Sequence, residues 1–209
     1  MKIKVRVAEK TQVSKKIDTE FQFVNDTLDR FGFTDTLRID AEWNCCVCDT
    51  DTEDYRTQYY INMRNEKGAS HMAAALYEMQ RCGVDMAMFY DAQLWKEYGA
   101  LYHVPSLAPT EAYRAFGQFS RLYGLGTECE STQDGDVYTL AVTDGNTCAL
   151  AAANVSPAPA EIRLLIQGAG DRAFACKDAN VEVKQRDSDG GTELTFTAPG
   201  YSFFTIGSE

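Results

Sequence analysis

The stretch Leu37-Arg38-Ile39-Asp40-Ala41-Glu42-Trp43-Asn44 alternates apolar and charged side chains with a period of two. That period predicts a β-strand, with Leu37, Ile39 and Ala41 on one face and Arg38, Asp40 and Glu42 on the other. A polar, cysteine-rich loop follows, so Glu42 falls at the C-terminal end of the strand. In α/β folds with parallel strands, ligands and catalytic groups collect at that end, because the βα loops open there and the strand fixes the side chain. On its own, a glutamate ending a strand is more often a solvated or capping group than a catalyst. The order of the surrounding elements carries the reading.

Upstream, residues 1–17 are basic and alternating, with Ile3, Val5 and Val7 on one face, which fits either a short strand or a leader with little structure. A helix is predicted to start at Asp18 or Thr19, because Phe21, Val24, Leu28 and Phe31 recur at spacings of three and four, and to stop at Gly32. Downstream, residues 45–67 read as a long polar loop, and a helix from about Ser70 to Arg81 carries Met72, Ala75, Leu76 and Met79 as its apolar stripe. Residues 84–90 are nearly all apolar, as in a strand buried on both faces of a parallel sheet. A second loop, 91–109, holds Trp95, Tyr98, Tyr102 and His103. Thr110 then caps a helix whose Tyr113, Phe116, Phe119, Leu122 and Tyr123 are expected in the core.

Beyond Gly126 the pattern changes to short β-type runs at 137–142, 148–155, 161–166, 173–176, 181–184, 193–197 and 201–206, separated by turn-forming residues. The expected fold class is therefore α/β followed by all-β, with a boundary near 126: an α/β region over 1–126 and an antiparallel β-sandwich over 127–209.

Twenty basic and 31 acidic residues give a net charge of -11, which argues against nucleic acid and anionic membranes as partners. The start of the chain lacks the apolar core of a signal peptide, and no run of about eighteen apolar residues could span a bilayer, so a soluble, cytoplasmic protein is expected. Seven cysteines, an odd and scattered set, suit a reducing compartment rather than a disulfide framework. Cys45, Cys46 and Cys48 lack the further ligands a zinc site needs. Asp49, Asp51 and Glu53 are followed by Asp54 where a calcium loop needs glycine. No metal and no cofactor is expected.

An α/β run whose penultimate strand ends in Glu42-Trp43-Asn44 resembles the last part of a clan A glycoside hydrolase, of the kind that includes family 39 β-xylosidases and related arabinofuranosidases. The resemblance also rests on the helix motif Ala73-Ala-Ala-Leu-Tyr-Glu-Met, the last strand Val84-Asp-Met-Ala-Met-Phe-Tyr-Asp and the helix Pro109-Thr-Glu-Ala-Tyr-Arg-Ala-Phe. It covers roughly residues 18 to 209. It implies the last βα units of a (β/α)₈ barrel followed by a β-sandwich, with Glu42 as the nucleophile at the end of strand seven and 84–90 as strand eight. Asn44, Tyr90, Asp91 and Trp95 would line the sugar site.

The family's second glutamate, the acid/base of an Asn-Glu dipeptide at the end of strand four, has no counterpart upstream of Glu42. Asn65-Glu66 follows the nucleophile, is expected in a loop, and reads as a coincidence. An eight-stranded barrel cannot close with its first half absent. The leading expectation is a C-terminal portion of a retaining glycosidase, inactive by itself, that associates with carbohydrate and with either the missing barrel half or copies of itself. The alternatives are an enzyme that recruits another carboxylate as acid, and a non-catalytic carbohydrate-binding or interaction protein.

Overall fold

The computed structural model describes residues 2–6, 12–45, 55–94, 98–132 and 136–208. Its α/β elements are β1 (Lys2–Arg6), α1 (Gln12–Arg30), β2 (Ile39–Trp43), α2 (Tyr55–Asn62), α3 (Glu66–Arg81), β3 (Met86–Phe89) and α4 (Glu111–Tyr123). The remaining strands are β4 (Thr127–Glu128), β5 (Glu130–Thr132), β6 (Val137–Thr143), β7 (Cys148–Asn154), β8 (Ala160–Gln167), β9 (Phe174–Cys176), β10 (Lys184–Ser188), β11 (Gly191–Ala198) and β12 (Ser202–Ser208).

The expected unit of strand, loop, helix and strand is present, and β2 pairs parallel with β3, Ile39 opposite Met86 and Asp40 opposite Ala87. These two strands form a sheet of their own, and no closed sheet is found among the described residues. The remaining strands make two five-stranded sheets, ordered β10-β11-β8-β1-β5 and β4-β6-β7-β12-β9, in which nearly every pairing is antiparallel. Their facing sides share one apolar core, with Ile162, Leu164, Ile166 and Leu194 from the first sheet meeting Leu150, Ala152, Phe204 and Ile206 from the second. Strict alternation along β8, whose buried residues are Ile162, Leu164 and Ile166, is what a strand covered on one side requires.

The second sheet is buried on both sides. Its other face, Tyr138, Leu140, Ala151, Ala153 and Val155, belongs to a cluster that includes α3, α4 and Trp43, so this apolar cluster runs across residue 126. That double coverage explains why β6, as far as Val142, and all of β7 are buried without alternation. Helix α3 lies at the centre. Every side chain from Met72 to Met79 is buried, Glu78 included, and Glu78 is paired with Arg81 at 2.9 Å while Arg81 Nη2 donates to the Thr139 carbonyl of β6.

Several sequence expectations need correction. The first residues form a strand seated between β8 and β5 in the far sheet, and α1 begins at Gln12, six residues before Asp18. Helix α2 occupies part of the stretch read as loop, and α3 begins at Glu66 rather than near Ser70, with Asn65 as its N-cap accepting from Lys67 N at 2.9 Å. Asn65-Glu66 is therefore a helix start, not a loop. Strand β3 is not covered on both faces, since Met86 and Met88 are 48% and 49% exposed. In α4, Leu122 is buried and Phe116 and Phe119 pack on the core, but Tyr113 and Tyr123 stand outside it. Residues 181–183 are coil, from which Val181 and Val183 still reach the core, and β10 begins at Lys184.

Candidate functional site

Strict alternation would place Glu42 beside Asp40, but the β2–β3 register shifts between Asp40 and Trp43. After the shift, Trp43 is the residue that turns inward. Its ring packs on Phe89 at 5.4 Å and Phe116 at 6.0 Å, under the helices. Glu42, its neighbour, is exposed and so points to the opposite side of the sheet. Ile39, Met86 and Met88 stand on that same open side, and Tyr90, two residues after Met88, continues it at 41% exposure. A bulge is a means of re-aiming one side chain at the end of a strand. Here it separates Glu42 from Asp40 and turns it to the side of the sheet on which Tyr90 stands.

Asn44 and Asp91 have different surroundings. Asn44 Nδ2 donates to the carbonyls of Tyr90, at 2.5 Å, and Tyr98, at 3.2 Å, so this side chain clamps the end of β2 to the loop after β3. Its Oδ1 is buried without a partner among the described residues. Asp91 is also buried, its Oδ1 accepting from Gln93 N at 3.0 Å, and the Tyr90–Asp91 peptide is cis. The structure thus brings Asn44, Tyr90 and Asp91 together beside Glu42's strand end. Trp95 lies outside the described residues, as do Cys46, Cys48 and the acidic stretch 49–54.

Two neighbours absent from the expected site emerge. The Tyr98 ring contacts that of Tyr90, at 5.8 Å, and that of the buried Tyr59 of α2, at 5.5 Å. Arg64 is buried, donates to the carbonyls of Gly99 and Tyr60, and stacks over the Tyr60 ring at 3.7 Å. Desolvation by burial lowers the Arg64 pKa from its ordinary value, partly offset by Tyr60 and Tyr59. Arg64 therefore holds the 98–99 turn, and with it Tyr98. An arginine in a predicted loop carries no sequence signal for that task.

The site presents an exposed carboxylate on the same side of the sheet as an exposed aromatic ring, an arrangement that can accept hydrogen bonds beside an apolar surface. Among the described residues, no group of three or more His, Cys, Asp or Glu could hold a metal ion. Cys45 is described, and its Sγ donates to the His71 carbonyl at 3.5 Å. No described helix is long and apolar enough to cross a membrane.

No protein-family model matches the chain, and no curated protein matches it. Solved structures do, and the class they define is a glycoside hydrolase-like fold. A family 30 endoxylanase from Clostridium papyrosolvens aligns over 95% of this chain with a TM-score of 0.56 and 14% identity. A glucosidase from Croceicoccus marinus aligns over 93% with a TM-score of 0.52 and 16% identity, and a family 30 subfamily 8 xylanase from Clostridium acetobutylicum over 70% with 0.54 and 16%. The chain spans 46%, 50% and 40% of those three chains, respectively.

Proposed function

We propose that this chain is the C-terminal portion of a retaining glycoside hydrolase, carrying the last βα units of a (β/α)₈ barrel between β1 and residue 126 and a β-sandwich made of the later strands together with β1. The observation that carries the reading is the parallel β2–β3 pair, helices on one side, with Glu42 and Tyr90 emerging together on the open side at the C-terminal end. That is where a barrel presents its catalytic groups. Family 39 is the nearer affiliation suggested by Glu42-Trp43-Asn44, while the structural likeness is to enzymes named as family 30 and to a glucosidase.

In this reading Glu42 attacks the anomeric carbon and forms a glycosyl ester. A second carboxylic acid about 5–5.5 Å away protonates the leaving oxygen and then activates water. That acid comes from the remaining barrel strands, in another polypeptide or a longer form of this one. Tyr90 and Tyr98 offer ring faces to the C–H side of the sugar, and the resemblance assigns Trp95 to the same site. Asn44 and Asp91 act by fixing the loop, since Asn44 Nδ2 and Asp91 Oδ1 are already bonded to backbone. The exposed rings of Tyr90 and Tyr98 also favour a second reading, a carbohydrate-binding protein that has lost catalysis.

An aryl glycoside with a very acidic leaving group, such as 2,4-dinitrophenyl β-xyloside, needs no protonation to depart and tests the nucleophile alone. The expected result is dinitrophenol release by the purified chain, falling to the buffer rate in Glu42→Gln, with no hydrolysis of the unactivated methyl glycoside. Release that is equal in Glu42→Gln, or absent in both proteins, contradicts the catalytic reading; saturable sugar binding unaffected by Glu42→Gln would then favour the second.

A further inference from the structure

Away from Glu42, a groove of about 280 Å³ runs along α4 beside β12, lined by Tyr113, Arg114, Gly117, Arg121, Asp178 and Phe203. Gly117 sits inside α4, where glycine is the poorest ordinary helix former. Neither conformation nor packing requires it. Its φ is not in the left-handed region, and an added Cβ would meet only Arg121 Nη1, at 3.7 Å, whereas at Gly68 or Gly99 it would run into backbone. The missing side chain leaves a notch, with Tyr113 and Arg114 one turn before it and Arg121 one turn after.

The walls suit a sugar. Tyr113 is 42% exposed and its ring is held by Tyr102 at 5.5 Å, offering an apolar surface. Asp178 is anchored by accepting from Thr205 N at 2.6 Å and presents its other oxygen to Arg121 at 3.7 Å. Guanidinium donors and a carboxylate acceptor thus face one small space. Arg114 is paired with Glu111 at 3.1 Å and Arg121 with Asp178, so the groove holds no excess positive charge to select an anion. We propose that this groove is a second carbohydrate-binding site, taking one or two units of a neutral glycan. Its volume falls just under the roughly 300–1,000 Å³ of drug-sized ligand pockets. The choice of ligand rests on the carbohydrate reading above, but the site shares no residue with the Glu42 face.

Amide chemical-shift titration of the full 209-residue chain with xylotriose, and separately with cellotriose, tests this. Saturable shifts are expected at residues 113–121 and 177–179. Tyr113→Ala and Gly117→Leu should each weaken binding about tenfold, and Glu42→Gln should leave it unchanged. The proposal is overturned if neither sugar gives saturable shifts, or if affinity is unaltered in Tyr113→Ala, whose exposed ring can be removed without loss of fold. Shifts abolished by Glu42→Gln and untouched by the α4 variants would also overturn it, while leaving the reading of the Glu42 face standing.

Discussion

The Tyr77 hydroxyl is fully buried and donates to Gln118 Oε1, and Gln118 Nε2 donates in turn to Thr205 Oγ1 at 3.0 Å. This chain ties α3 to α4 and to β12. Tyr77→Phe removes the donor and leaves a buried acceptor unsatisfied, so urea unfolding should show a loss of about 1–3 kcal/mol. Cys148 reports on the sheet core. Burial, with Cys129 beside it, pushes its thiol up to about 11 from an ordinary value of 9.0. The unfolded thiol ionises first as pH rises, so the folded state loses stability from about pH 9 to about 11, and the loss should be smaller in Cys148→Ala when urea midpoints are compared across that range. Glu42 itself was legible as a strand-end carboxylate. Its direction was not, because a register shift between two paired strands depends on the partner strand and leaves no mark in the alternation of one. The clamp made by Asn44 and the brace made by Arg64 were illegible for the same reason: both bond to carbonyls more than 30 residues away in sequence.

Among the elements, α3 shows why helix starts are harder to read than helix faces. Its apolar stripe was evident at Met72, Ala75, Leu76 and Met79, whereas its first turn, Glu66-Lys67-Gly68, carries no apolar residue. The start is set by the Asn65 cap, whose type contributes about 1 kcal/mol, and by the approach of α2. A Cβ on Gly68 would lie 2.2 Å from the Asn62 carbonyl oxygen and 2.6 Å from Met63 Cα. Gly68→Ala should therefore destabilise the protein by about 1–3 kcal/mol, although alanine is the better helix former. A thermal melt showing Gly68→Ala to be stabilised would mean that α2 does not cross α3 there. The strand order of the two large sheets was not legible either, since β1 enters the far sheet beside β8 from the opposite end of the sequence.

Over the whole molecule, apolar surface is left open where a barrel would be closed. Ile39, Met86 and Met88 on the sheet, and Phe23, Phe31, Phe33 and Leu37 around α1 and its exit, are between 48% and 70% exposed. The α1 stripe predicted from sequence is only partly covered: Phe21 packs on the core while Phe31 does not. Open parallel edges and an apolar face of this kind drive association. Sedimentation velocity should show concentration-dependent self-association that the double substitution Met86→Glu, Met88→Glu reduces, and a compact monomer at all concentrations would show that nothing is missing from this face. Apart from β1, the α/β-then-β order was legible, and so was the β2–β3 unit, because β2 and the helices show their periods and β3 falls in a nearly continuous apolar run.

The most direct test of the account is covalent trapping of its nucleophile. Incubation with 2,4-dinitrophenyl 2-deoxy-2-fluoro-β-xyloside or the corresponding glucoside, followed by intact-mass and peptide analysis, asks whether one carboxylate forms a glycosyl ester. The account predicts a single fluoroglycosyl adduct on Glu42 that disappears in Glu42→Gln. No adduct, or one carried by another residue and retained in Glu42→Gln, would contradict it.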